Sequence, residues 1–213
     1  MPSDLKAGGC VLAGGESRRF GRDKALAEIG RKAMLARIVG LIRESGIGDV
    51  KVVGDAEKYG RFGLVCVRDM WPGEGPLGGI ITALRNVESS REGGGSLHGW
   101  NLMVSCDMPF LTREWLAFLV ERALASEAQV VLAHSAHGPE PLCACWRTEA
   151  VETLQAAFER GVRKVTEGIS LLRAEVLDER DWKRFDSAGR LFWNMNTQSD
   201  YEEARRILEA EEK

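Results

Sequence analysis

No stretch of these 213 residues comes near the roughly 20 consecutive apolar residues that a membrane-spanning helix requires. The start, Met1-Pro2-Ser3-Asp4-Leu5-Lys6, also has no apolar signal core. Both features predict a cytoplasmic protein with no membrane partner. A surplus of one charge is missing too. The 29 basic and 32 acidic residues nearly balance, at net −3, which excludes nucleic-acid binding by bulk charge but leaves room for a local basic pocket. Histidine is scarce. His98, His134 and His137 fall in or near loops, none has a carboxylate or serine partner at a telling spacing, and neither G-x-S-x-G nor H-E-x-x-H occurs. They read as solvated loop side chains, and hydrolysis through an activated nucleophile has no support. The five cysteines form no C-x-x-C pair. Cys143 and Cys145 are spaced to share one strand face, but no second pair completes a zinc site, so the thiols read as reduced and mostly buried. Repeats and heptads are absent as well.

What is present is apolar content of 44%, enough for a real core, on a length that suits one large domain over 1–213. The chain is organised around Leu12-Ala13-Gly14-Gly15-Glu16-Ser17-Arg18-Arg19-Phe20-Gly21-Arg22-Asp23-Lys24. A buried run, Cys10-Val11-Leu12, leads into glycines and then into three arginines and a lysine. Strands that feed glycine-rich basic loops hold phosphates, because the backbone N–H groups approach the ligand and the cations neutralise it. The Walker spacing does not fit, since five residues separate Gly15 from Gly21 and Arg22 follows, and the stretch holds no G-x-G-x-x-G. A solvated basic turn is the alternative for this segment taken alone.

Strands are expected over 10–12, 50–53, 64–67, 102–106, 129–133 and 141–146, with an extended piece over 25–29 and short edge strands at 174–177 and 191–193. Helices are expected over 33–45, 80–87, 112–125, 150–160 and 199–211, with a second, shorter one over 161–172 and a short helix or turn before residue 64. The segment 89–99, centred on Gly93-Gly94-Gly95-Ser96, reads as a surface connection inside the same domain. Strand–helix alternation in the first half predicts a three-layer α/β fold. Its mainly parallel sheet is covered by helices on both faces, with antiparallel additions in the C-terminal half.

Ligands in such sheets sit beyond the carboxyl ends of the strands, and four polar clusters are expected there: the opening loop, Asp69, Asp107 and Asn194/Asn196. Asp107 directly follows a buried strand. It suits Mg²⁺, which takes one or two carboxylates plus phosphate oxygens and water, or else it makes a turn with Met108-Pro109. Asp69 either accepts from a base or ribose or opens the loop behind it. Gly73-x-Gly75-x-x-Gly78 spells a dinucleotide fingerprint but is rejected, because Pro76 interrupts it and Trp71-Pro72 separates it from the strand. Gly78, in Pro76-Leu77-Gly78-Gly79, instead presents backbone groups at a helix start. Asn194 and Asn196 alternate, so both face one side of an extended segment, while Thr197 or Ser199 caps the next helix.

L-A-G-G-x-S-x-R-F-G-x-D-K resembles the signature loop of nucleotidyltransferases with a Rossmann-like fold. Within these the chain most resembles the molybdenum cofactor guanylyltransferases, the MobA family. Supporting segments run in the family's order: Gly75-Pro76-Leu77-Gly78-Gly79, Cys106-Asp107-Met108-Pro109, Glu140-Pro141-Leu142, Arg163-Lys164-Val165 and Phe192-Trp193-Asn194-Met195-Asn196-Thr197. The closing Asn-x-Asn-Thr points to this family, because related enzymes often carry an aspartate there. The resemblance implies transfer of GMP from GTP to molybdenum-molybdopterin with Mg²⁺, and transient contact with other cofactor-biosynthesis or recipient proteins. It implies that Leu12, Ala13, Gly14 and Gly15 hold GTP through backbone groups. Lys24 would neutralise its phosphates, Asp69 would contact the nucleoside, and Asp107 would bind the metal. Arg19, Asn194 and Asn196 would lie toward the reacting phosphates and the pterin. The chain departs from the pattern at Gly54-Asp55-Ala56, where members often carry an asparagine for the base, and at Glu140, where a histidine is common. A related transferase using CTP or another phosphorylated acceptor is the alternative.

Overall fold

The computed structural model of the protein describes residues 7–14, 20–21, 23–92 and 99–211. Gly15, Arg19 and His98 lie outside the described residues. The strands are β1 (Ala7–Leu12), β2 (Glu28–Ile29), β3 (Lys32–Ala33), β4 (Val50–Val53), β5 (Val65–Val67), β6 (Trp100–Ser105), β7 (Val130–Ser135), β8 (Gly138–Arg147) and β9 (Ala174–Leu177). The α-helices are α1 (Met34–Glu44), α2 (Ala56–Tyr59), α3 (Pro76–Glu92), α4 (Arg113–Ala125), α5 (Ala150–Glu159), α6 (Val165–Ile169), α7 (Glu179–Trp182) and α8 (Gln198–Glu211).

Seven strands form one sheet in the order β5-β4-β1-β6-β8-β7-β9, and β2 and β3 make a separate small hairpin. The strands β5, β4, β1 and β6 run parallel, as do β7 and β9. Only β8 is reversed, pairing antiparallel with both β6 and β7. The centre of the sheet is apolar on both faces: every residue of β1 and β6 is buried, as expected of strands sandwiched between helices. One face packs α1, α4, α7 and α8 through residues such as Ile38, Trp115, Trp182 and Tyr201. The other packs α3, α5 and α6 through Ile80, Leu154 and Val165. The chain winds outward from β1 to β4 and β5, then returns across the sheet to β6. The order therefore reverses between β1 and β6, where open α/β sheets place their ligands.

Most expected elements form; α6 is shorter than the expected 161–172 helix, β3 was not expected, and four further differences have a local physical reason. First, α3 runs from Pro76 to Glu92, not over 80–87, so residues 89–92 of the expected surface connection are helical; it starts early because proline suits the first helical position, where its missing N–H is not needed. Second, residues 24–26 form a 3-10 turn, since the Asp23 carboxylate accepts from the Ala25 N–H at 3.0 Å; only β2 of the expected 25–29 stretch is extended. Third, residues 191–193 are a turn, not an edge strand. Leu191 and Phe192 are both buried although they are neighbours, and Phe192 packs edge-on against Trp115 and Trp182. Fourth, α7 was not expected; the Asp178 carboxylate accepts from the Arg180 N–H at 2.7 Å while Asp181 bonds back to the Asp178 N–H, a reciprocal cap that starts a very short helix.

Candidate active site

Three of the four expected clusters sit where the sequence places them. Gly14, Asp69 and Asp107 each lie two residues beyond the carboxyl end of a parallel strand, β1, β5 and β6 respectively. The fourth arrives differently. Asn194 and Asn196 follow no strand; they lie in an irregular segment between the 191–193 turn and α8. That segment is tied to the loop after β6 by the Met195 N–H, which donates to the Asp107 carbonyl at 2.8 Å. Met195 is fully buried, Asn194 is half-buried and Asn196 is exposed.

Asp107 is the meeting point. The Ser105 hydroxyl donates to its Oδ1 at 2.6 Å, and the Lys24 ammonium donates to its Oδ2 at 3.1 Å. The same ammonium donates to Asn196 Oδ1 at 2.8 Å. Lys24 and Asp107 are both largely enclosed, with side chains 16% and 17% exposed, which strengthens their attraction relative to a solvated pair. Residues 24, 107 and 196 are thus brought onto one ammonium from three distant parts of the chain. Asn194 does not join them through a hydrogen bond among the described residues; its side-chain amide donates to the Phe192 carbonyl at 3.1 Å and shapes its own turn.

Asp69 takes the loop-opening role of the two expected for it. Its Oδ1 accepts from the Trp71 N–H at 3.0 Å and the Thr82 hydroxyl at 3.2 Å, which starts the following loop. Its Oδ2 points at Gly14, 3.7 Å from where a side chain there would begin. Gly14 therefore leaves the carboxylate facing the backbone of the glycine-rich stretch. Leu12 and Ala13 are buried, and their backbone is held by Cys106 N–H to Leu12 carbonyl at 3.3 Å and Ala13 N–H to Val53 carbonyl at 3.0 Å. Gly78 lies in the first turn of α3, where a Cβ would come within 3.3 Å of Trp71 Cβ, so a packing demand accompanies any ligand role.

Sequence reasoning named Arg163 only as part of a family segment and passed over Tyr59. Arg163 bonds Glu74 of the Gly/Pro loop at 2.7 Å and lies over the Phe158 ring at 3.9 Å, bracing that loop against α5. Tyr59, at the end of α2, sends its hydroxyl to both Ala13 and Asp23. A lone tyrosine in a short polar helix carries no motif that would have disclosed this. The cysteines behave as read: all five are free and four are buried. Burial pushes the Cys10 and Cys143 thiols up to about 12, so neither is a nucleophile at neutral pH. His134 lies one residue before the end of β7 with an exposed side chain, and His137 is exposed in the next turn.

Among the described residues, no cluster of three His, Cys, Asp or Glu side chains could cage a metal by itself, and no helix is long and apolar enough to cross a membrane. An open depression of about 1010 Å³ lies between Phe20-Gly21 and the outer side of α8, near Tyr201 and Arg205. None of Lys24, Asp69, Asp107 or Asn196 lines it. Polar groups of opposite charge converge instead at the strand ends, where Lys24 meets Asp107 and Asn196.

A family model described as the MobA-like NTP transferase domain matches residues 9–176. A probable molybdenum cofactor guanylyltransferase of Pelotomaculum thermopropionicum is 34% identical over 206 residues, covering 96% of this chain and 95% of its own. A molybdenum cofactor guanylyltransferase of Desulfosudis oleivorans is 26% identical over 203 residues, covering 95% and 96%. Among solved structures, molybdopterin-guanine dinucleotide biosynthesis protein A from Archaeoglobus fulgidus superposes with a TM-score of 0.78 at 23% identity, over 95% of this chain and 98% of that one. That last likeness concerns the fold.

Proposed function

The chain belongs to the MobA-like NTP transferase family, and from that premise we propose that it transfers GMP from GTP to molybdenum-molybdopterin. The products are pyrophosphate and the guanine dinucleotide form of the cofactor. The chain is an enzyme of the nucleotidyltransferase kind, as the named relatives and the matched domain establish. We take residues 1–213 as a single domain for this reaction. The observation that carries the proposal is the convergence of Lys24, Asp107 and Asn196 at the switch in strand order.

A terminal phosphate oxygen of the pterin attacks the α-phosphorus of GTP, the bond to the β-phosphate breaks, and pyrophosphate leaves. No protein nucleophile is needed. The protein supplies alignment and neutralises charge. Backbone groups of Leu12, Ala13, Gly14 and Gly15 receive the nucleotide, Gly78 offers the first turn of α3, and Asp69 contacts the nucleoside. Lys24 stands within reach of both Asp107 and Asn196 and is the cation for the phosphates. Arg19, Asn194 and Asn196 lie toward the transferring phosphate and the pterin. The donors present fit Mg²⁺: a single hard carboxylate, Asp107, oriented by Ser105, suits an ion that takes one or two carboxylates and completes its shell with phosphate oxygens and water. When bound, the ion would neutralise charge on the transferring phosphate. GTP, the pterin and transient contacts with other cofactor-biosynthesis or recipient proteins are the partners of this reading, and the cytoplasm is its compartment.

One observation keeps a second nucleotide in view. The segment Gly54-Asp55-Ala56, where members of the family often carry an asparagine for the base, holds none, and the Tyr59 ring fills the space beside Gly54. A panel of GTP, CTP and ATP with Mg²⁺ and molybdenum-bearing pterin, read by pyrophosphate release, tests the assignment. Preferential turnover of GTP is expected, and preference for CTP would sink the guanine assignment while leaving the transferase class intact.

A further inference from the structure

Tyr59 is 3% exposed, and its hydroxyl lies 3.0 Å from the Ala13 carbonyl and 2.9 Å from Asp23 Oδ2. Ala13 and Asp23 bracket the glycine-rich stretch on its two sides. The hydroxyl has one proton and two acceptors, so it donates to either in turn, and the charged carboxylate is the stronger of them. Burial, then the neighbouring Asp23 carboxylate, raise the Tyr59 pKa far above its ordinary value, which keeps the group a donor. Asp23 passes the restraint on. Its Oδ1 accepts from the Ala25 N–H at 3.0 Å and starts the turn that carries Lys24. Lys58, on the same short helix as Tyr59, adds a looser ion pair to Asp23 at 3.7 Å.

The backbone makes room for this arrangement. A Cβ on Gly54 would lie 2.6 Å and 3.0 Å from two Tyr59 ring carbons, so the ring reaches its place because position 54 has no side chain. A phenyl ring alone would fill that space equally well. The hydroxyl instead joins Ala13 to Asp23, one on each side of the glycine-rich stretch.

We propose that the Tyr59 hydroxyl is a positioning group for nucleotide binding, clasping Ala13 to Asp23 so that the Ala13-Gly14 backbone and the Lys24 ammonium keep a set separation. In nucleotidyl transfer as proposed above, these are the two groups that must meet one triphosphate together. Loss of the clasp loosens Lys24 without disturbing the sheet.

The test compares wild type with Tyr59→Phe by amide hydrogen exchange and by kinetics. In Tyr59→Phe the Ala25 amide exchanges at least about tenfold faster, while Val131 and Leu132 in β7 keep their protection. The kcat/KM for the nucleotide falls by about tenfold or more, and KM for the pterin stays constant. Gly54→Ala, whose new methyl displaces the ring, reproduces both effects. Wild-type exchange at Ala25 in Tyr59→Phe overturns the proposal, and so does an even loss across all amides and both substrates, which marks a merely structural tyrosine. Should the wild-type protein transfer no nucleotide at all, the exchange measurement still decides the clasp, and the failure falls on the proposed reaction alone.

Discussion

Asp107 shares one carboxylate between a hydroxyl and an ammonium, and its neighbours indicate what removing it would do. Asp107→Ala takes away the acceptor for both Ser105 and Lys24. It also removes the carboxylate assigned to Mg²⁺ under the proposed reaction. A rate loss of at least about two orders of magnitude is expected, comparable to deleting one important stabiliser of developing charge. Pyrophosphate release at saturating GTP and pterin measures it; a variant that turns over at the wild-type rate removes Asp107 from the machinery. Glu140 allows a prediction of a different kind. It is half-buried on β8, and burial raises its pKa, against the opposing pull of the Ser135 hydroxyl at 2.6 Å and of His137 and His134. The folded protein therefore holds this proton more tightly than the unfolded chain does. Stability is gained as pH falls through the window between the ordinary glutamate value of about 4.3 and the raised one, and above that window the charged form is a cost. Glu140→Gln keeps an oxygen for Ser135 and removes the charge. Its melting temperature is expected to exceed wild type at pH 7, and the gain should vanish by about pH 4. Calorimetry across that range checks the sign. Single residues were legible in the sequence where they ended buried runs, as Asp107 does. Tyr59 was not, because its partners lie 46 and 36 positions away and no local spacing records them.

At the scale of elements, the start of α8 shows how a helix terminus reaches into the site. The Thr197 hydroxyl accepts from the Asp200 N–H at 3.1 Å, while Asp200 Oδ2 accepts from the N–H groups of Thr197 at 2.7 Å and Asn196 at 2.8 Å. This reciprocal cap fixes the backbone of the same Asn196 whose side chain meets Lys24. Asp200→Ala is expected to cost about 1 kcal/mol in urea unfolding, the usual worth of a cap. It should also lower transfer activity several-fold; a stability loss with unchanged kcat/KM would detach the helix cap from the site. Close approach of elements also has its own residue. At Gly9 in β1 an added Cβ would fall 2.8 Å from Ile42 Cγ2 and 3.3 Å from Ile47 and Val50. Gly9→Ala therefore overpacks the β1–α1 contact, with an expected loss of about 1–3 kcal/mol by chemical denaturation. Elements with a strong apolar period, such as α1 and α4, were legible to within a residue or two. α3 was cut short in the reading because Gly78-Gly79 resembles a loop, whereas Gly78 packs tightly under Trp71 inside the helix.

At the scale of the molecule, the sheet order assembles the site. The loop after β1 and the loop after β6 are neighbours because β1 and β6 pair in register from Ala7↔Trp100 to Leu12↔Ser105. Asp69 joins from the far edge, because β5 lies two strands from β1 on the other side. A nucleotide spanning these strand ends would bind only the folded chain, so Mg²⁺-GTP at about 100 times its dissociation constant is expected to add about 2.7 kcal/mol to stability. A thermal-shift titration with GTP and CTP reads this without any acceptor. An equal or larger shift with CTP would count against guanine selectivity.

The sequence by itself determined the class of fold, the glycine-rich loop, and which polar residues follow buried strands, because each is written in contiguous spacing and burial is decided largely by local pattern. It also carried the closing asparagines as a family resemblance. Only the tertiary structure decided that Lys24 takes Asp107 and Asn196 together while Asn194 turns back on Phe192. It alone settled that the expected antiparallel addition is β8, and brought Tyr59 onto both sides of the opening loop. These are choices among distant partners. They depend on which strands become neighbours and where a missing Cβ lets a ring pass, and neither quantity exists until the chain has packed.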